Sequence, residues 1–189
     1  WLPLLLIAQP VEACTGFIIG KKLTADGSTL VGRTEDLEPN HNKNFVVRER
    51  VYNKKGAIFE DAANGFQYPL PEISYKYTAV PDVTPDQGIF DEAGFNEYGV
   101  SISATVSASA NEKVDPYVKD GLAESGLTSI VLPSVKTARE GVELIAKIVE
   151  EKGAAEGNIV TIADKEGVWY MEILSGHQYA AILFPEARF

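Results

Sequence analysis

From Thr15 to Val106 the chain is a succession of short β-forming runs broken by turn signals, and its one long amphipathic segment comes only afterwards. That order constrains the fold more than any other feature. Thr15 to Lys22 reads as a strand. Ala25-Asp26-Gly27-Ser28 is a turn, because Asp-Gly readily adopts hairpin conformations, and Thr29 to Thr34 returns as the partner strand. Further strands are expected at Phe45 to Tyr52, Ile73 to Val80, Gly88 to Phe95 and Val100 to Val106. Asn53 to Pro71 and Pro81 to Gln87 read as loops, Asn96-Glu97-Tyr98-Gly99 as a turn, and Ser107 to Pro116 as a small, polar, mobile stretch. A weaker helix covers Glu124 to Leu132. The clear helix runs from Ser134 to Gly153: Ala138, Val142, Ile145 and Val149 share one face, Ser134 is placed to cap the start and Gly153 the end. Three strands close the chain at Asn158 to Ala163, Val168 to Ile173 and Gln178 to Phe184, the first two joined by Asp164-Lys165-Glu166-Gly167. Runs of strands, then helix, then strands favour an α+β fold of antiparallel, hairpin-built sheets over a doubly wound parallel one.

With 189 residues the chain matches one domain, or most of one. Its net charge of −10 repels phosphate backbones and argues against nucleic-acid partners. His41 and His177 lie far apart, and the chain has one cysteine, so no metal-ligand spacing emerges. No glycine-rich phosphate loop is present either, and no cofactor is expected. The opening, Trp1 to Ala8, is apolar and too short to span a bilayer; Gln9-Pro10-Val11-Glu12-Ala13 follows. A short apolar run, a proline and a small residue before a cut describe the end of a secretory signal peptide, the alternative being a buried N-terminal strand. Residues 1–13 are therefore expected to be a signal or propeptide remnant. The mature chain is expected to be exported, to a secreted, periplasmic or cell-surface location, without stable membrane insertion.

The lone cysteine follows that expected cut. A cysteine attacks as thiolate and needs a base or a lowered pKa. Neither histidine stands in a local pattern with Cys14, so His41 and His177 are candidates only by default. Cleavage after Ala13 offers another base, the freed α-amine of Cys14, whose ordinary pKa of roughly 7.7–8.0 suits general-base work near neutrality. It sits on the nucleophile's own residue and is positioned at little entropic cost. The hairpin supplies the rest. Cys14 precedes one strand, and Arg33-Thr34-Glu35-Asp36 ends its partner, so an antiparallel return sets these ends side by side. A guanidinium near the sulfur favours thiolate, and a carboxylate can orient the ammonium. Arg33 and Asp36 share a face only if the strand ends or bulges between them.

Ala13-Cys14-Thr15, Asp26-Gly27-Ser28-Thr29 and Arg33-Thr34-Glu35-Asp36 resemble the C69 dipeptidase family of N-terminal-nucleophile hydrolases. So do Asn96-Glu97-Tyr98-Gly99-Val100 with Ser103-Ala104-Thr105, Val131-Leu132-Pro133, Ala138-Arg139-Glu140, Trp169-Tyr170-Met171-Glu172 and Gly176-His177-Gln178, in that order from Cys14 to the end. The wider superfamily includes bile salt hydrolases and penicillin V acylases. The resemblance implies an αββα sandwich of antiparallel sheets flanked by helices, of which residues 14–189 would be the N-terminal part of a catalytic domain continuing beyond Phe189. It implies Cys14 as nucleophile with its amine as base, Arg33 and Asp36 beside it, and a small peptide as substrate. Asn96 and Thr105 are candidates for substrate or oxyanion contacts. In the acylase relatives an Asn ten residues beyond Asn96 helps form the oxyanion hole; here that position is Val106, whose side chain cannot donate. The departure favours the dipeptidase branch, with a backbone N–H or a group near Thr105 as donor.

Two other readings compete. One is a choloylglycine-hydrolase-type amide acylase with the same chemistry. The other is a non-enzymatic lipoprotein acylated at Cys14, for which Glu12 is a poor fit and the hairpin leaves no tether. Trp169, Tyr170 and Met171 read as core residues, His177 as a satisfied polar group at a strand end. The sequence leaves oligomerisation open.

Overall fold

In the computed structural model, residues 14–36, 42–81, 88–107, 109–111 and 113–187 are described. The expected signal segment, residues 1–13, and His41 lie outside them.

The chain opens with the hairpin β1 (Gly16–Ile19) and β2 (Leu30–Arg33). The main sheet holds seven antiparallel strands: β3 (Val46–Arg48), β8 (Tyr77–Pro81), β9 (Asp91–Asn96), β10 (Ser101–Val106), β11 (Asn158–Asp164), β12 (Gly167–Ile173) and β13 (Tyr179–Leu183). Their spatial order is β13-β12-β11-β10-β9-β8-β3, so neighbours in sequence are mostly neighbours in space. The helices α1 (Glu124–Val131) and α2 (Ala138–Lys152) connect β10 to β11 and cover one face.

Period-two alternation explains that face. Ile102, Ala104, Val160, Ile162, Met171 and Ile173 point the same way from β10, β11 and β12 and are all at most 2% exposed. Against them pack Val142, Ile145, Ile148 and Val149, the apolar stripe of α2. Gly153 ends that helix with φ +81°, a positive value glycine adopts without the steric cost of a Cβ. The expected start needs correction. Thr137, not Ser134, is the N-cap and accepts from the Glu140 N–H, while Ser134 donates to the Ile130 carbonyl. The helix begins at Ala138 because the Ser134 hydroxyl is spent on the turn leaving α1.

Other departures are local. The run from Phe45 to Tyr52 divides into β3 and β4 (Val51–Tyr52), which pairs with β7 (Ile73–Ser74) instead of the main sheet. The expected loop from Asn53 to Pro71 contains a small hairpin, β5 (Ile58–Glu60) with β6 (Gln67–Pro69). The stretch ending at Pro116 is tied down at Asp115, which accepts from the Ser175 hydroxyl and the His177 backbone N–H and pairs with His177 Nδ1 at 3.0 Å.

Candidate active site

The hairpin β1–β2 lies over the sheet face that the helices leave open. Its register pairs Gly16 with Arg33 and Ile19 with Leu30. Beyond the last pair, the Thr34 N–H donates to the Thr15 carbonyl at 2.8 Å and the Thr15 N–H to Thr34 Oγ1 at 3.2 Å. The chain is thus zipped up to the residue after Cys14. β2 ends at Arg33, as the spacing of Arg33 and Asp36 requires. Asp36 Oδ2 then accepts from Thr34 Oγ1 at 3.0 Å and Thr15 Oγ1 at 3.4 Å, so its carboxylate is anchored on both sides of the strand end next to Cys14.

Between hairpin and sheet is a cavity of about 990 Å³. Cys14, Arg33 and Thr105 line it together, with apolar walls that include Phe17, Val106, Ile159 and Phe184. Three of the five sequence candidates therefore meet at one cavity, and Asp36 is tied to the backbone beside it. Thr105 is 6% exposed, and its hydroxyl makes only a long 3.4 Å contact to the Val106 carbonyl.

Asn96 is placed elsewhere. Ser101 pairs with Phe95, on the open face, so Asn96 points to the helices. Its amide donates to the Leu132 and Val135 carbonyls at 2.9 and 2.8 Å, and its Oδ1 accepts from the Tyr98 and Val100 N–H groups. Every polar position of this 3% exposed side chain is used to fasten the β9–β10 turn to the α1–α2 connection. As an oxyanion or substrate contact it is displaced by the sheet's alternation. Tyr170 departs the other way: Met171 is core, but Tyr170 lines the cavity with its hydroxyl bonded to Glu172.

Sequence reasoning missed the surroundings of Arg33. Its Nη2 meets Glu92 Oε2 at 2.6 Å, its Nη1 meets Glu124 Oε1 at 3.0 Å, and Nη1 also donates to the Ala104 carbonyl. Lys43 Nζ joins Glu35 at 2.6 Å to Glu92 at 3.4 Å. Burial opposes the Arg33 charge, but Glu92, Glu124 and, more weakly, Cys14 as thiolate outweigh it and raise its pKa. The available signal was a pair of acidic residues, Asp91-Glu92, inside a strand, where carboxylates are uncommon unless paired. Among the described residues no group of three His, Cys, Asp or Glu side chains is arranged to hold a metal ion, and no helix is long and apolar enough to cross a membrane.

The sequence and the fold have known relatives. The model of peptidase family C69 matches residues 13–189. The chain belongs to peptidase family C69. Among curated relatives, it is 72% identical over 180 residues to a probable dipeptidase B of Streptococcus pyogenes serotype M1, covering 94% of this chain and 36% of that protein. It is 42% identical to a probable dipeptidase of Latilactobacillus sakei, with 93% and 38% covered, and 38% identical to one of Salmonella dublin, with 93% and 41% covered. This C69 chain thus spans 36–41% of the length of those relatives. Its fold is that of penicillin V acylase from Agrobacterium tumefaciens (TM-score 0.58, 17% identity, 89% of this chain and 49% of that one). It is also that of a mutant conjugated bile acid hydrolase from Clostridium perfringens (TM-score 0.54, 18% identity, 91% and 51%). The sheet flanked by helices on one face and by the hairpin on the other thus matches about half of each of those structures.

Proposed function

We propose that this chain is the nucleophile-bearing part of an exported cysteine dipeptidase. The observation that carries the reading is the hairpin register, which sets Cys14 and Arg33 on one cavity with Asp36 braced beside them. Cleavage after Ala13 frees the Cys14 α-amine. The amine takes the thiol proton as the sulfur attacks the substrate carbonyl, and returns it to the leaving amine. An acyl-enzyme results. Water, deprotonated by the same amine, releases the acid half. Arg33 favours the thiolate by its charge, and Asp36 orients the ammonium form of the base. A donor near Thr105 stabilises the oxyanion. The apolar walls accept an apolar side chain of a short peptide, and residues 1–13 serve as an export signal or propeptide.

The test uses the full-length protein from its natural type of host. N-terminal sequencing with intact mass should find an unmodified Cys14 at the terminus, and Cys14→Ala should abolish dipeptide turnover. Turnover retained in Cys14→Ala sinks the mechanism, and acyl chains on Cys14 would make the protein an anchored lipoprotein.

A second reading, an amide acylase, draws on the volume and apolarity of the cavity, which suit a bulky acyl group. Val106 opposes it. Parallel assays of dipeptides, conjugated bile acids and penicillin V separate the two.

A further inference from the structure

Arg33 is held by two carboxylates, and the second has no task in the mechanism above. Glu124 opens α1 directly behind the site, and its side chain, like that of Arg33, is only 12% exposed. Glu92, the other partner, is 7% exposed. One guanidinium charge therefore faces two carboxylates where water barely reaches. Other charged groups among the described residues stand close by. Glu156, from the loop before β11, accepts from the Glu124 backbone N–H at 2.7 Å. Lys43 reaches Glu92 Oε1, the oxygen Arg33 does not use, and also holds Glu35. Cys14, ahead of β1, lines the same cavity as Arg33.

Two carboxylates on one buried cation are not equally easy to ionise. Burial pushes the Glu124 carboxyl up to about 7, the charge of Glu92 adds to the rise, and Arg33 pulls against it. The proton therefore has a place to reside on the carboxyl whose Oε1 accepts from Arg33 Nη1, the nitrogen that also donates to the Ala104 carbonyl.

We propose that Glu124 is a positioning residue whose protonation sets how much of the Arg33 charge reaches Cys14. With Glu124 protonated, one carboxylate opposes the guanidinium. With Glu124 ionised, two do, and the Cys14 thiolate is disfavoured. A single proton moves, on and off the Glu124 carboxyl. The consequence for hydrolysis rests on Cys14 being the nucleophile; the coupling between Glu124 and the Cys14 thiol does not.

The experiment follows alkylation of Cys14 by iodoacetamide against pH in the full chain, read at that residue by peptide mass, beside kcat/KM for a dipeptide. In Glu124→Gln, which keeps the acceptor for Arg33 but not the charge, the alkylation midpoint should fall by about 0.5–1 pH unit, roughly a three- to tenfold faster reaction on the acid side. The acid limb of kcat/KM should move with it, at unchanged KM. Glu124→Asp, which keeps the charge, should restore the original midpoint. An unchanged alkylation profile in folded Glu124→Gln overturns the coupling. A shifted alkylation profile with an unmoved hydrolysis profile leaves the coupling standing and removes Cys14 from the chemistry. Should Glu124→Gln not fold, the carboxyl resonance of carbon-13-labelled Glu124 in the unaltered protein decides: titration near neutrality supports the proposal, and titration in the ordinary carboxylate range overturns it.

Discussion

Arg33 and Glu92, 59 residues apart in the chain, form a buried ion pair with 2.6 Å between Nη2 and Oε2. The pair ties the hairpin bearing Cys14 to the main sheet. Arg33→Lys keeps the charge, but an ammonium on a flexible stem cannot fork to Glu92, Glu124 and the Ala104 carbonyl together. The substitution should lower kcat/KM on dipeptides by on the order of 10²–10³, mostly through kcat. Steady-state kinetics of the full-length variant checks this; a value within about twofold of the unaltered enzyme would show that Arg33 needs only its charge.

Cys14→Ser replaces the proposed nucleophile with a hydroxyl that ionises far less readily at the same position. Turnover should fall to the detection limit while the thermal midpoint stays put, since Cys14 is not part of the core. Activity and melting measurements on the same preparation separate loss of chemistry from loss of fold.

Asn96→Ala tests a structural role. It strips donors from two carbonyls and an acceptor from two N–H groups in a buried turn. A loss of about 2–4 kcal/mol is expected, because buried polar groups left unpaired lose their full desolvation cost. Denaturant unfolding should show it. The KM of the folded fraction should not change, whereas a raised KM at unchanged stability would return Asn96 to the binding site.

Asp91 is fully buried and accepts from Arg48, the Tyr77 hydroxyl and the Ser129 hydroxyl. Burial and the Asp91 charge together push the Tyr77 phenol up, so it donates at any physiological pH. Asp91→Ala leaves those donors unpaired and should destabilise by about 3 kcal/mol, read as a lower denaturant midpoint. Asp91→Asn should recover part of that, since an amide oxygen still accepts from Tyr77.

The latch at Asp115 has a defined pH response. The Ser175 hydroxyl and then His177 lower its carboxyl from 3.8 to about 2. A folded-state pKa below the unfolded value means that its contribution is complete above about 3.8 and is lost as the pH falls toward about 2. Hydrogen exchange at the His177 amide should accelerate over that window and be already fast in Asp115→Asn at neutral pH. Exchange that is insensitive to the substitution would show that the loop is held by other contacts.

Much of this was legible in the residues. The alternation of Ser and apolar residues from Val100 to Val106 and the stripe Ala138, Val142, Ile145 and Val149 announced a strand and a helix with an apolar face, because side-chain period follows directly from backbone geometry. The hairpin from Thr15 to Thr34 was legible from Asp26-Gly27, and with it the meeting of Cys14 and Arg33. The capping of α2 was misjudged because Ser134 and Thr137 are both competent caps, and only the turn leaving α1 assigns the Ser134 hydroxyl to Ile130.

What the sequence by itself determined, then, is much of what neighbours along the chain set: the position of most strands, the turns, the amphipathic helix, and the hairpin that follows the cysteine. What only the tertiary structure decided is which distant groups share a buried space. Asn96 went to the helices and Tyr170 to the cavity because one-residue steps in a strand reverse a side chain's face, and the chosen face depends on what packs there. Glu92 and Glu124 came to Arg33 because a guanidinium shut away from water needs acceptors, and the fold delivers them from β9 and α1, far along the chain.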